Sequence, residues 1–261
     1  MRPALYRTDL LALAYAGVTG ALVWRYGAGV WTLVPPSLVF LAFVLDGIFR
    51  PASPWFMPLV ARGKPQIHAV ALTFDDGPDP EVTPKILDML KGHKAKATFF
   101  VIGQHVEKYP ELAQRIVAEG HEIGNHTHTH PRLFNLKLTR GMQTEIERAT
   151  ATIQHVTGVK PVLFRPPIGL KNPHLAIVSR RLGLRVVMWS LHARDTLFRD
   201  PRRISQRVLK RIRPGDIVDL HDGHDLPGQR RRYTARAVAS ILARLEWKGI
   251  KCVTVSELLN S

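Results

Sequence analysis

Hydrophobic patterning divides the chain into two regimes. From Leu10 to Trp24, and again from Gly27 to Phe49, residues are almost continuously apolar, the second stretch holding one charge, Asp46, near its end. Beyond about Gln66 short apolar runs alternate with amphipathic stretches. The runs predict strands at Ala69–Phe74, Ala97–Ile102, Glu122–Asn125, Val162–Phe164, Leu184–Trp189, Ile217–Leu220 and Lys251–Val255. The stretches between them predict helices over Glu81–Lys91, Pro110–Glu119, Thr139–Val156, Pro173–Leu182, Pro201–Ile212 and Thr234–Lys248. In the third helix Ile146, Ala149, Ile153 and Val156 recur on one face. Strand alternating with helix implies an α/β fold on a parallel sheet, open or closed into a barrel, with ligands gathered at the C-terminal strand ends.

The apolar start reads as a membrane anchor. The stretch Gly27 to Phe49 is long enough for a bilayer, which takes about 20 residues; Leu10 to Trp24 is a little short. Trp24, Tyr26 and Trp31 cluster between them as interfacial aromatics do, and membrane helices tolerate a pair such as Pro35-Pro36. The reading is a hairpin, or one span preceded by an interfacial helix: residues 1–60 as a membrane anchor of one or two transmembrane helices, residues 61–261 as the main domain. No small-residue cleavage site follows the first stretch, and a second apolar stretch comes directly after it, which argues against a cleaved signal peptide. A two-span hairpin leaves the N-terminus and the main domain on one side, and Arg2 and Arg7 against Arg25 favour the cytoplasm for that side. A single span would put the domain outside.

Composition narrows the rest. A hydrophobic content of 45% in 261 residues supports a sizeable core. Residues 1–60 hold four arginines and two aspartates, so most of the formal charge of +16 lies in the main domain. The basic clusters, such as Arg180-Arg181 and Arg230-Arg231-Arg232, are scattered and lack interleaved aromatics, so they describe a solvated basic surface or an attraction to anionic envelope surfaces rather than nucleic-acid binding. The lone Cys252 excludes an internal disulfide and an all-cysteine zinc site, and reads as a small core residue.

Candidate chemistry follows the strands. After the first come Asp75 and Asp76, after the third "NHTHTH" from Asn125 to His130, after the fourth "RPPIG" from Arg165, after the fifth "SLHARD" to Asp195, and after the sixth "HDGHD" from His221. One rim of the sheet would collect them all. Two adjacent carboxylates at a buried strand end repel and call for a positive neighbour or a proton. His126 and His130, four apart, would share one face of a helical turn, with His128 facing away. Two histidines and a carboxylate are an established zinc set with an open position for water. One of the paired aspartates would complete it, and the other would act as general base for the activated water.

These residues carry a resemblance. The domain resembles the polysaccharide deacetylases of carbohydrate esterase family 4, the NodB-homology domain. "TFDDGP" matches that family's first motif, "HTHTH" its second and "RPPIG" its third; "WSLHARD" matches the fourth in part and "DLHD" the fifth in part, in family order from Thr73 to Asp222. The resemblance implies a distorted (β/α) barrel of about seven parallel strands. It implies Asp75 as catalytic base, and Asp76, His126 and His130 as ligands of a divalent metal, most simply Zn2+, with Co2+, Ni2+ or Mn2+ also fitting. It makes His221 the acid for the leaving amine, Arg165 the partner that orients Asp75, and Asp195 the carboxylate that orients His221. Pro167, Ile168, Asp219 and His192 would face the substrate, with the Ile168 backbone N–H on the oxyanion. The implied reaction removes acetyl groups from N-acetylated amino sugars of a peptidoglycan or chitin-like glycan, and the family's habit places the domain outside the cytoplasm.

Four positions, in three motifs, depart from the family pattern. Ile168 stands where an aromatic residue is usual. His192 and Thr196 replace the first Asp and the Trp of the fourth motif. Asp219 replaces an apolar residue two positions before His221, on the same face of a strand. Asp219 and His192 are therefore expected to form a compensating pair in a more polar pocket, against the alternative that Asp219 binds a surface arginine. The altered pocket also admits an amidase or deformylase acting on a small or lipid-linked sugar. A non-catalytic glycan-binding module would have lost part of the set Asp75, Asp76, His126, His130 and His221, and none is lost.

Overall fold

The computed structural model describes residues 7–64, 66–224 and 231–260. Two helices, α1 (Arg7–Tyr26) and α2 (Val30–Phe49), come first. They pair antiparallel across a short turn, with Tyr15 hydroxyl to Ser37 Oγ at 3.0 Å and the Tyr15 ring on Phe40. Each has 20 residues, about 30 Å of helix. Among the described residues α2 is the one helix long and apolar enough to cross a membrane. Trp24, Tyr26 and Trp31 stand exposed at the closed end of the hairpin. Arg2, part of the charge argument for orientation, lies outside the described residues.

The body then runs β1 (Ala69–Asp75), α3 (Thr83–Gly92), β2 (Thr98–Val101), α4 (Gly103–Lys108), α5 (Pro110–Ala118), β3 (Glu122–Asn125), α6 (Thr139–Thr157), β4 (Leu163–Phe164), α7 (Pro173–Arg181), β5 (Arg185–Val186), β6 (Leu191–His192), α8 (Pro201–Leu209), β7 (Ile217–His221), α9 (Arg232–Trp247), β8 (Lys251–Cys252) and α10 (Val255–Asn260). Seven parallel strands follow the order β5-β4-β3-β2-β1-β7-β6 in a curled half-barrel, and β8 pairs with the start of β1. This is the expected architecture. β1 is buried at every position, as a central strand covered on both faces must be, and this is why its sequence is a continuous apolar run. The predicted stripe of α6 is buried at Ile146, Ala149 and Ile153 and extends to Met142.

Local differences from expectation have local causes. Of the strand expected over Leu184–Trp189 only Arg185–Val186 forms β5; Val187 makes a single bridge to Val60, and the next strand is the two-residue β6 beside β7. The six-residue α4 is too short to carry a readable period. Cys252 is half-buried against the main core, where burial pushes its thiol up to about 12.

The hairpin is not tethered loosely. Phe56 and Met57 enter a buried cluster with Phe134, Phe164 and Met188, and Val44 and Ile48 of α2 pack on it. The Phe56 ring sits so close to Gly47 that a Cβ there would lie 2.8 Å from it. The buried Lys171 ammonium donates to the carbonyls of Arg50, at 2.9 Å, and Pro51. Val60 and Arg62 then bridge to Val187 and Asp216, closing part of the gap between the two ends of the strand path.

Candidate active site

A cavity of about 460 Å³ opens at the C-terminal strand ends. Asp75 is the last residue of β1, and Asp76 follows with φ 71. That left-handed step, which Asp tolerates better than most residues, sends the two neighbouring carboxylates to different partners and so answers the repulsion the sequence raised. Asp75 accepts from Arg165 Nη1 at 2.7 Å. Asp76 Oδ1 lies 3.4 Å from His126 Nε2 and 3.4 Å from His130 Nε2, buried and without a hydrogen-bond partner. The three donor atoms fall within 4.8 Å of one another. His126 Nδ1 donates to the Arg165 carbonyl at 2.7 Å, which leaves its Nε2 lone pair facing Asp76 and the cavity. An orphaned buried carboxylate oxygen beside an aimed imidazole lone pair is the donor chemistry a divalent cation fits.

The two histidines do not ride on a helical turn. The chain from His126 to His130 is an irregular loop with Thr127 at φ 70 and His130 at φ 49. Local side-chain bonds hold it: Asn125 Oδ1 accepts from the Thr127 N–H at 2.8 Å and Thr127 Oγ1 from the His130 N–H at 3.1 Å. The rings converge all the same, centroids 4.9 Å apart. His128 points away, fully buried near Glu107. Burial alone would raise the Asp76 carboxyl, but contact with His126 and the positive fields of His221 and His130 hold it far below the usual range. Burial works against charge on His126 too, and Asp75 and Asp76 outweigh it and raise its pKa.

The facing wall is built around Arg165, the largest fully buried side chain. Its guanidinium lies over Phe100, 4.1 Å from the ring centroid, and bonds Thr73 Oγ1, Asp75 and the carbonyls of Val187 and Met188. Asp219 Oδ1 is 3.4 Å from it. The arginine beside Asp219 is thus a buried one, not one at the surface. On its other side Asp219 faces His192 Nδ1 at 3.5 Å. Burial and the charge of Asp75 push Asp219 up to about 8, while burial and the positive field of His221 push His192 down to about 4.

His221 ends β7, its Nδ1 3.0 Å from Asp195 Oδ1. Asp195 Oδ2 accepts from the His221 N–H and from Thr234 Oγ1, both at 2.8 Å. Burial opposes charge on His221, but Asp195 overcomes it and, with Asp219 and Asp76, raises the imidazole to about 10. Ile168 is exposed at the cavity edge with φ 58, and Pro167 is buried beneath it. Gly169 allows that turn to approach Trp189: a Cβ there would sit 2.3 Å from the indole.

The sequence reading missed Thr234, which follows a basic run and matches no motif, and the lining residues Arg132, Trp189 and Arg231, whereas Thr196, singled out as a departure from the fourth motif, does line the cavity. Trp189 could have been found, since it stands in "WSLHARD" beside residues already singled out.

A parallel-stranded half-barrel with two clustered sets of aspartate and histidine at its strand ends has the groups that hydrolysis of an amide or ester bond requires. The family model for polysaccharide deacetylase matches residues 62–187. A peptidoglycan-N-acetylglucosamine deacetylase of Bacillus cereus is 41% identical over 193 residues, covering 73% of this chain and 88% of that protein. A chitooligosaccharide deacetylase of Bradyrhizobium sp. is 38% identical over 199 residues, covering 73% of this chain and 90% of that protein. The crystal structure of a peptidoglycan N-acetylglucosamine deacetylase in complex with 4-naphthalen-1-yl-N-oxidanyl-benzamide matches with a TM-score of 0.72 at 33% identity, covering 78% of this chain and 93% of that one. The chain belongs to the polysaccharide deacetylase family, carbohydrate esterase family 4, and is a hydrolase.

Proposed function

We propose that the protein removes acetyl groups from N-acetylated amino sugars of an envelope glycan, with residues 1–60 as membrane anchor and residues 61–261 as a catalytic domain on the extracytoplasmic side. The observation that carries the reaction is the unpartnered Asp76 oxygen between two imidazoles, directly beside the Arg165-held Asp75. A divalent cation held by Asp76, His126 and His130, zinc by donor type with cobalt, nickel or manganese also fitting, supplies Lewis-acid polarisation of the acetyl carbonyl and of water.

The chain's own groups move the protons. Asp75 takes one from the attacking water; Arg165 fixes its Oδ1 and so leaves Oδ2 for that task. His221, kept protonated by Asp195, gives its proton to the amine nitrogen as the C–N bond breaks. The products are acetate and a free amino sugar. The Ile168 backbone N–H steadies the oxyanion. The peptidoglycan and chitooligosaccharide named for the relatives support a glycan built on N-acetylglucosamine.

The test is acetate release from N-acetylated chitooligosaccharides and peptidoglycan strands by the zinc- or cobalt-loaded full chain. Metal-dependent release that disappears in Asp75→Asn is expected. The polar wall at Asp219 and His192 favours a second reading, an amidase on a smaller or lipid-linked sugar. One bound metal without release from either glycan would move the assignment there.

A further inference from the structure

Among the described residues beyond the hairpin, the exposed large apolar side chains divide by end of the barrel. Val159, Val162 and Trp247 lie at the N-terminal strand ends, whereas Leu133, Leu136, Leu138, Ile168 and Leu197 sit on the loops that follow β3, β4 and β6, around the cavity. These five are 58% to 74% exposed. Single exposed leucines are ordinary; five on one arc of loops are a surface. Arg132, Arg194 and Arg199 are exposed on the same loops. The carboxylates there are Asp195, buried against His221, and Asp200, which caps α8 through the Arg202 N–H. The arc is apolar and basic, the composition that suits an anionic lipid surface.

The arc also continues into the foot of the hairpin. Ile168 is three residues from Lys171, at most about 11 Å of chain, and Lys171 grips the carbonyls of Arg50 and Pro51 just below α2. Phe134, between Leu133 and Leu136, shares the buried cluster on which Val44 and Ile48 pack. The Thr8 N–H bonds the Trp55 carbonyl, and Phe43 packs edge-on against the Trp55 ring, so the foot of each helix is held at the body. A hairpin inserted along its length would bring that foot, and the arc beside it, to the headgroups.

We propose that the loops after β3, β4 and β6 rest on the bilayer, so that the active-site cavity opens at the lipid surface and draws its glycan from there. This rests on the hairpin being the membrane anchor. The full chain in a Cys252→Ala background tests it, with Leu136→Cys or Leu197→Cys on the arc, Lys248→Cys at the opposite end and Leu38→Cys in α2. Each variant carries a bimane probe and is reconstituted in phosphatidylcholine–phosphatidylglycerol vesicles containing nitroxide lipids. The arc probes should be quenched about twofold or more by headgroup-level nitroxide, the Leu38→Cys probe by mid-chain nitroxide, and the Lys248→Cys probe by neither. Arc probes as unquenched as Lys248→Cys, with Leu38→Cys quenched, would overturn the proposal and leave the anchor intact. An unquenched Leu38→Cys probe would remove both.

Discussion

Asp76, His126 and His130 on one wall of the cavity, and Asp75, Asp219 and His221 on the other, are made of the same two residue types, each set with donor atoms within 4.8 Å. Their surroundings differ. On the first wall His126 is anchored from behind by a carbonyl, and the Asp76 oxygen facing the imidazoles has no hydrogen bond. On the second wall Arg165 binds Asp75 and Asp195 binds His221. The first set leaves an acceptor that a cation would satisfy; in the second, Asp75 and His221 already have charged partners and Asp219 alone is left poorly matched. Residue type alone would call both metal sites, and the neighbours tell them apart.

The largest expected effect separates the walls directly. Asp76→Asn and His126→Ala should lose the bound metal, seen as a fall from one equivalent by elemental analysis, and lower kcat/KM on the order of 10³-fold or more. His221→Ala should keep the metal while lowering kcat by about 10²- to 10⁴-fold. Loss of metal from His221→Ala would break the comparison. Asp195→Asn comes next, at about 10- to 100-fold. Because Asp195 is the main charge that raises His221, its removal lowers the pKa of that imidazole, and, if His221 is the acid proposed above, the alkaline limb of the kcat/KM profile should move to lower pH. An unmoved limb would mean that Asp195 only holds the fold.

Much of this contrast was legible in the sequence, for physical reasons. The run before Asp75 reads as a strand because β1 is covered on both faces, and the α6 stripe reads as a helix because one face packs inward. The rim chemistry is legible because a parallel sheet delivers each strand end to the same side. The loop from His126 to His130 was not, since a spacing of four suits a helical turn as well as a chain folded through left-handed residues. Asn125 and Thr127, both residues that bond their own backbone, were the available signal. The docking of Phe56, Met57 and Lys171 had no signal at all, because packing between distant segments leaves no local period.

The smallest effect concerns Asp219, the member of the second wall whose charge is least well matched. It is buried between Arg165 and His192, with burial and Asp75 pushing it up to about 8. The unfolded chain releases this proton near the ordinary aspartate value, about 3.9. Between those two pKa values the folded state holds a proton that the unfolded state has lost, so this residue makes stability fall as pH rises through the window. Asp219→Leu removes the titrating group and with it that slope. The variant should differ little from the parent in Tm near pH 4 and exceed it increasingly toward pH 8, with metal content unchanged and kcat/KM altered by less than about tenfold, a change that leaves the Asp75 and Arg165 pair in place. Parallel Tm profiles would show that Asp219 is ionised in the fold and matched by Arg165, and the second wall would then be a charge network rather than a place where a proton is kept.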